Sequence, residues 1–261
     1  MRVVITGASS GLGSALAAEF ARRFPGAVLL LLARRVERLD ALAACLPQVR
    51  CECVGLDVTD AAALRRVCSD FIQRHGVPDV VVANAGISAG TATGMAGDRP
   101  VFQRILEVNL LAMVDTFEPF VVPMQRAGTG ILVGISSVAG IRGLPGAEAY
   151  SASKAAASAY LESLRVGLRG DGIAVVTLAP GYVRTEMTAG NDYPMPFLMS
   201  ADAFARRAVD AILRRQSYRT IPWQMAWVAA VLRLMPNWLY DRLFARAPRK
   251  ARNPSLGRSD D

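Results

Sequence analysis

The sequence predicts an α/β domain in which a parallel β-sheet is covered by helices on both faces. Short, nearly continuous apolar segments, which are typical of strands buried on both sides, alternate with amphipathic segments along most of the 261 residues. A glycine-rich turn follows the first apolar segment, and polar residues follow several later ones. Ligands of such sheets bind at the carboxyl ends of the strands, so these turns mark the expected site.

Composition is that of a large folded domain. Hydrophobic residues make up 52% of the chain, which excludes intrinsic disorder, and the longest apolar run near the N-terminus is too short to span a bilayer. No signal peptide is visible, so we expect a cytoplasmic protein. No histidine completes a zinc pattern with the cysteines, so we predict no metal site and expect buried free thiols at Cys45, Cys51, Cys53 and Cys68.

Charge divides the chain into two parts. Residues 1–204 carry 18 basic and 18 acidic side chains, whereas residues 205–261 carry 12 basic and 4 acidic ones together with all three tryptophans. We therefore predict a folded domain over residues 1–204 and a basic helical extension over residues 205–261. Its end, residues 246–261, is expected to be disordered.

The first strand is predicted at residues 2–6 and the first helix at 14–24. The turn between them has the spacing G-x-x-x-G-x-G. Glycines let the backbone approach a ligand, and the free N–H groups of a helix N-terminus bind anions. A glycine turn without a ligand is the alternative, but the pattern favours the pyrophosphate of a dinucleotide at Gly7, Ser9, Ser10, Gly11, Leu12 and Gly13.

The second strand, predicted at 27–33, ends at Arg34 and Arg35. In dinucleotide-binding folds an acidic residue about 20 positions after the glycines binds the ribose 2′-hydroxyl of NAD. Here arginine follows that position, and a guanidinium fits a 2′-phosphate. NADP(H) is therefore preferred over NAD(H). The alternative is that both arginines are surface charges flanking the next helix.

The remaining elements continue the alternation. Strands are predicted at 49–56, 77–83, 130–136 and 172–178, and helices at 38–46, 61–75, 101–125, around Tyr150, and at 201–215. Asn109 lies among apolar residues of its helix and must find hydrogen-bond partners there.

Tyr150 and Lys154 lie four residues apart and so share one face of their predicted helix. A nearby cation favours the phenolate and lowers a phenol pKa from its ordinary value near 10, which suits a general acid/base. Among 30 basic residues only Lys154 and Lys250 are lysines, and lysine is the compact cation whose pKa shifts readily on burial.

Six motifs, in this order and spacing, resemble the short-chain dehydrogenase/reductase family over residues 1 to about 204: Thr6-Gly7-x-x-x-Gly11-x-Gly13, Asn84-Ala85-Gly86, Asn109, Ser137, Tyr150-x-x-x-Lys154 and Pro180-Gly181. The resemblance implies a single Rossmann-type doubly wound sheet of about seven parallel strands. It also implies hydride transfer between a nicotinamide cofactor and a carbonyl or alcohol.

The resemblance assigns roles to single residues. It makes Tyr150 the general acid/base and Lys154 the residue that lowers its pKa and binds the nicotinamide ribose. Ser137 positions the substrate oxygen, and Asn109 holds a water of the proton relay. The rest of the cofactor is expected against Asp57, Val58, Asn84, Ala85, Gly86, Pro180, Gly181, Val183 and Thr185. The glycine turn lacks the basic residue common in NADP enzymes of the family, so phosphate recognition rests on Arg34 and Arg35.

Residues 186–199 supply apolar side chains that suit a lipid-like, steroid-like or long-chain substrate, bound by Ser137, Tyr150, Met187, Met195 and Phe197. The alternative is that they pack on the protein and the substrate is small. The basic extension with its tryptophans matches an interfacial helix, a cap on the pocket or a subunit contact. A homodimer or homotetramer is expected, and no nucleic acid. A 3-oxoacyl-thioester reductase and a non-catalytic NADPH sensor are the alternative functions.

Overall fold

The computed structural model describes residues 1–191 and 193–257. Within this part of the chain seven strands form one parallel sheet: β1 Arg2–Thr6, β2 Val28–Ala33, β3 Arg50–Gly55, β4 Val80–Ala83, β5 Gly130–Ile135, β6 Ile173–Pro180 and β9 Tyr218–Ile221. Two short strands, β7 Val183–Arg184 and β8 Met199–Ser200, pair separately. The order across the large sheet is β3-β2-β1-β4-β5-β6-β9. From β1 to β3 successive strands are added on one side of the sheet, and from β4 onward they are added on the other side. A crevice therefore opens between β1 and β4 at the carboxyl ends of the strands.

Helices cover both faces of the sheet. They are α1 Gly11–Arg23, α2 Val36–Ala44, α3 Ala61–His75, α4 Asp98–Leu106, α5 Ala112–Ala127, α6 Glu148–Gly167, α7 Glu186–Ala189, α8 Ala201–Leu213, α9 Trp223–Leu234 and α10 Asn237–Phe244. Short 3-10 helices lie at Val138–Gly140 and Pro254–Gly257, and a π-helical turn, Glu107–Leu111, joins α4 to α5.

The sheet separates two hydrophobic cores. Val3 and Ile5 of β1 face the core beneath α1 and α8, whereas Val4 between them faces the core beneath α3, α5 and α6. Successive side chains of a strand point to opposite faces, so a strand buried on both sides is apolar throughout. The predicted doubly wound parallel sheet is confirmed.

The predicted boundary at residue 204 lies inside α8. This helix packs its Phe204 and Val209 into the core that it shares with α1, and β9 follows it as the seventh strand of the sheet. Tyr218 and Arg219 of β9 are exposed because the strand forms the sheet edge, so the segment lacks the apolar run that indicates a buried strand. The helical extension therefore begins at α9.

The C-terminal end was expected to be disordered from residue 246. The structure nevertheless gives residues 249–257, here called the C-terminal strap, defined contacts. The N–H of Gly90 donates to the carbonyl of Ala251 at 2.8 Å, and Arg252 forms a salt bridge with Asp98 at 2.6 Å. Leu256 packs on the small apolar cluster that includes Val101. Residues 258–261 lie outside the described residues.

Among the residues that the structure describes, no helix is both long enough and apolar enough to cross a bilayer.

Candidate active site

A cleft of about 1140 Å³ opens at the carboxyl ends of the strands. It brings together 20 of the predicted site residues, contributed by the glycine turn, the strand ends and the loop after β6. They are Gly7, Ser9, Ser10, Gly11, Leu12, Arg34, Arg35, Asp57, Val58, Asn84, Ala85, Gly86, Ser137, Tyr150, Lys154, Pro180, Gly181, Val183, Thr185 and Met187.

Four predicted residues do not line this cleft. Gly13 and Asn109 are buried behind it. Met195 and Phe197, which we expected to contact substrate, lie on the loop beyond α7. Phe197 has a left-handed backbone conformation and is 50% exposed, and the thioether of Met195 accepts a hydrogen bond from Asn191 at 3.7 Å. Of the three predicted apolar substrate contacts, only Met187, which lies in α7, lines the cleft.

The glycine turn forms a cradle for which side chains leave no room. Gly7 has a positive φ of 66°, and a Cβ built on it would lie 2.8 Å from the Cα of Ala85. A Cβ on Gly13 would lie 2.2 Å from the carbonyl oxygen of Gly7. Ser10, at the N-cap of α1, makes no side-chain cap bond. The cradle therefore fits a pyrophosphate held by backbone N–H groups.

Asn84 supports the cradle from below. Its amide nitrogen donates to the carbonyls of Thr6, at 2.9 Å, and Gly7, at 3.1 Å. We expected Asn84 to contact the cofactor. The structure shows that it also ties the end of β4 to the glycine turn.

Arg34, Arg35, Ser9, Ser10 and Glu186 form one end of the cleft, here called the arginine end. The guanidinium of Arg35 donates to the hydroxyl of Ser10 at 3.1 Å and forms a salt bridge with Glu186 at 3.4 Å. Hydrogen bonds from Arg38 and Arg35 hold the pKa of Glu186 below its ordinary value, so this carboxylate is charged at neutral pH. The serine hydroxyls and Arg35 could together contact a 2′-phosphate.

Sequence reasoning missed several neighbours of this end. Arg38 binds Glu186, and Arg104 forms a salt bridge with Asp57 at 2.6 Å on the floor of the cleft. The position of Arg38, three residues after Arg35 on the first turn of α2, was a local signal. The pair of Arg104 and Asp57 spans 47 residues, and no short motif indicates it.

Ser137, Tyr150 and Lys154 form the opposite end, here called the tyrosine end. The Lys154 ammonium lies 5.8 Å from the centre of the Tyr150 ring and donates to the carbonyl of Ile135 at 2.8 Å. Burial lowers the pKa of Lys154 to about 8. The spacing of four residues thus places both side chains together, as the helix periodicity predicts.

The pKa of Tyr150 differs in direction from our expectation. Burial raises it, and a hydrogen bond with Ser137 opposes that shift without cancelling it. The neighbouring ammonium is bonded to Ile135 and lies beside the ring, so it does not produce the expected lowering. The phenol is protonated at neutral pH.

Asn109 is fully buried in the π-helical turn between α4 and α5. Its amide nitrogen donates to the carbonyl of Ile87 and to the hydroxyl of Ser153, each at 3.0 Å. Its carbonyl oxygen accepts from the N–H of Ile87 at 2.8 Å. Both amide hydrogens are thus used within the protein, so the carbonyl oxygen alone retains capacity to bind the water that the resemblance implied.

A second lysine reaches Tyr150 from the C-terminal strap. The Lys250 ammonium lies 5.9 Å from the centre of the Tyr150 ring, and burial lowers the pKa of Lys250. The only two lysines of the chain therefore flank the same phenol. Sequence reasoning missed this contact, although the rarity of lysine was a signal.

The cysteines lie apart from the cleft. Cys68 is buried, Cys51 and Cys53 are partly buried, and Cys45 is exposed, contrary to the expectation of four buried thiols. Cys45 is the C-cap of α2, a helix with one buried residue, so its side chain remains in solvent. Within the described ranges no cluster of three or more His, Cys, Asp or Glu could hold a metal ion.

Comparisons with known proteins agree with this geometry. The family model for short chain dehydrogenases matches residues 1–194. A Myxococcus xanthus protein named as an uncharacterized oxidoreductase is 41% identical over 242 residues, covering 91% of this chain and 94% of that protein. The 11-beta-hydroxysteroid dehydrogenase 1A of Arabidopsis thaliana is 32% identical, covering 84% of this chain and 68% of that protein.

Solved structures show the same fold. A short-chain dehydrogenase from Sphingobium yanoikuyae in complex with NADPH has a TM-score of 0.76 and 30% identity, covering 95% of this chain and 96% of that one. An L-sorbose reductase from Gluconobacter frateurii complexed with NADPH and L-sorbose has a TM-score of 0.75 and 26% identity, covering 84% and 94%.

The sheet topology, the glycine turn and the lysine-flanked tyrosine define an oxidoreductase class that uses a nicotinamide dinucleotide. The chain belongs to the short-chain dehydrogenase family, because the family model matches more than half of it and the Myxococcus relative matches nearly all of it. The predicted family is confirmed.

Proposed function

We propose that this protein reduces a carbonyl substrate with NADPH, using Tyr150 as the general acid. The observation that carries the proposal is the tyrosine end, where the half-buried phenol of Tyr150 lies beside Lys154 and lines the same cleft as Ser137. When bound in the cleft, the reduced nicotinamide supplies the hydride. The chain itself supplies the proton and the hydrogen bonds.

Each residue of the tyrosine end has a chemical task in this proposal. The phenolic hydrogen of Tyr150 passes to the substrate oxygen as negative charge develops there. The Ser137 hydroxyl donates a hydrogen bond to the same oxygen, and this bond strengthens as charge appears. The ammonium of Lys154 stabilises the phenolate that remains. The phenol of Tyr150 is protonated at neutral pH, as a proton donor for reduction must be, and burial raises its pKa further.

NADP(H) is the proposed cofactor. Arg34 and Arg35 lie where an acidic residue would bind the ribose of NAD, and Arg35 already contacts the hydroxyl of Ser10 in the glycine turn. The Sphingobium yanoikuyae and Gluconobacter frateurii structures, both complexed with NADPH, support the same preference.

The proposed substrate is an apolar ketone or aldehyde of lipid-like, steroid-like or long-chain shape. The Arabidopsis thaliana relative, named as an 11-beta-hydroxysteroid dehydrogenase, supports a steroid-like substrate, and Met187 and Leu256 give the cleft apolar walls. The sorbose complex of a structural neighbour supports the alternative of a small substrate. We further propose a cytoplasmic homodimer or homotetramer, as is usual in the family, with peripheral membrane contact through the extension.

Two other functions compete with this proposal. A 3-oxoacyl-thioester reductase would use the basic extension to dock an acidic carrier protein. Faster reduction of a 3-oxoacyl thioester than of free ketones of the same chain length would favour it. A non-catalytic NADPH sensor would bind the cofactor without turnover, and the conjunction of Ser137, Tyr150 and Lys154 at one end of the cleft argues against it.

Tyr150→Phe is the test of the proposal. Turnover of aldehydes and ketones of graded size, followed by NADPH absorbance, should fall by about 100-fold or more because the proton donor is lost. NADPH affinity, followed by fluorescence titration, should change little. Tyr160→Phe alters another half-buried tyrosine of α6, outside the cleft, and is the matched control. Equal turnover in Tyr150→Phe and Tyr160→Phe would refute the role of Tyr150.

A further inference from the structure

The two helices of the extension, α9 and α10, expose large apolar side chains. Six of them, here called the tryptophan face, are between 57% and 84% exposed: Trp223, Trp227, Val231 and Leu234 of α9, and Trp238 and Leu243 of α10. All three tryptophans of the chain lie on this face. Clusters of exposed large apolar side chains mark interaction sites.

The pattern along α9 shows that this exposure is not a packing defect. Trp223, Trp227, Val231 and Leu234 recur at the spacing that places residues on one side of a helix. The opposite side is already packed, since Met225 and Ala229 are buried and a Cβ on Gly181 would lie 2.6 Å from the Met225 side chain. The helix is thus docked by its inner side and leaves a second apolar side in solvent.

Arginines without carboxylate partners surround the tryptophan face. Arg219, Arg233, Arg242 and Arg246 are exposed, and none of the salt bridges among the described residues includes them. Elsewhere on the surface many arginines are paired, for example Arg74 with Glu52 at 2.6 Å. The positive charge of the extension is therefore exposed to solvent and available to an anionic partner.

The helices that carry the tryptophan face are held by hydrogen bonds to the loop that follows Ser137. Arg142, five residues after Ser137, donates to the carbonyl of Leu232 at 2.8 Å and to the side chain of Asn237 at 2.7 Å. The hydroxyl of Tyr240 donates to the carbonyl of Gly143 at 2.7 Å. These bonds fix both helices to the loop that follows Ser137.

We propose that the tryptophan face docks this protein on an anionic membrane surface. In this arrangement the tryptophans and aliphatic side chains enter the lipid interface, and the arginines pair with lipid phosphates. A second copy of the chain is the poorer partner, because it would bring two sets of unpaired arginines together. Docking would also bring the cleft close to an apolar substrate dissolved in the bilayer. This last consequence rests on the proposed function.

Vesicle sedimentation of the full-length protein tests the proposal without cofactor or substrate. Binding should be strong to vesicles of phosphatidylcholine and phosphatidylserine in equal parts, weak to phosphatidylcholine alone, and reduced by salt. Because all three tryptophans lie on the face, their fluorescence should shift to shorter wavelength on binding. Binding that ignores lipid charge, or no binding, would overturn the proposal.

Matched variants locate the contact. Trp227→Ser should weaken binding, and Arg233→Gln should weaken it about fivefold, the value expected for one arginine at an anionic surface. Arg66→Gln on α3 and Val166→Ser on α6 remove an exposed arginine and an exposed apolar residue elsewhere, and should leave binding unchanged. If Trp227→Ser instead dissociates a dimer in sedimentation velocity and vesicle binding is unaffected, the face is a subunit contact and the proposal is wrong. Loss of turnover in Tyr150→Phe affects none of these measurements.

Discussion

At the arginine end of the cleft, the side chains of Arg35 and Glu186 are 45% and 59% exposed, whereas Ser137 and Lys154 at the tyrosine end are 8% and 4% exposed. Charges at the first end are paired in water, where an ion pair forms and exchanges at little cost. At the second end, loss of water itself shifts the pKa values of Lys154 and Tyr150 in opposite directions. One cleft thus combines a solvated, ion-paired end with a desolvated end.

The difference has a consequence for how each end responds to mutation. Removing a charge from the exposed end should alter affinity modestly and in a salt-dependent manner. Removing one from the buried end should alter both catalysis and folding stability, because a buried charge is costly even when it has a hydrogen-bond partner.

Lys154→Met should show the largest effect. Turnover should be lost, whereas the free energy of unfolding at pH 7 should increase. Burial lowers the folded-state pKa from 10.5 to about 8. The cost of charging Lys154 is therefore fully present below pH 8 and fades as pH rises from 8 to 10.5. Replacing Lys154 by Met should therefore raise the free energy of unfolding at pH 7 by at most about 3 kcal/mol. Loss of the hydrogen bond to Ile135 reduces this gain.

Urea unfolding at pH 7 and pH 10 checks this prediction. The stabilising effect should be larger at pH 7. Arg66→Met, which removes an exposed cation from α3, serves as the control and should be neutral at both pH values. A Lys154→Met protein that is less stable than the parent at pH 7 would show that desolvation is not the dominant effect at the tyrosine end.

Arg35→Ala tests the arginine end and should have an intermediate effect. Loss of a charge-assisted contact to the 2′-phosphate should weaken NADPH binding about tenfold at low salt, and NADH binding should stay unchanged. Arg34→Ala should act in the same direction. Fluorescence titrations with both cofactors measure the effect. Equal weakening of NADPH and NADH would show that Arg35 supports the glycine turn through Ser10 and does not recognise the phosphate.

Glu186→Gln should have the smallest effect on NADPH affinity. It should increase this affinity, whereas Arg35→Ala should decrease it. The carboxylate competes with a phosphate for Arg35 and Arg38, so its neutralisation should tighten NADPH binding about threefold, as expected for an exposed ion pair. The gain should vanish in concentrated salt, because exposed charges are screened. Unchanged NADPH affinity at low salt would show that Glu186 does not compete.

Much of the site could be predicted because its signals are local. The glycine turn, the arginines after β2 and the pair of Tyr150 and Lys154 each lie within one turn or one helix face, where spacing determines which side chains meet. The direction of the Tyr150 pKa shift could not be predicted in this way. It depends on how completely the surrounding elements exclude water, and no spacing reports that.

The sequence by itself determined the parallel sheet, the cradle and the placement of Tyr150 beside Lys154, because strand and helix periodicities act over a few residues. Tertiary structure alone decided that β9 closes the sheet edge, that Arg104 holds Asp57, and that Lys250 reaches Tyr150 from 100 residues away. Such contacts arise from packing between distant segments. The free energy of burial selects them without requiring a pattern in either segment.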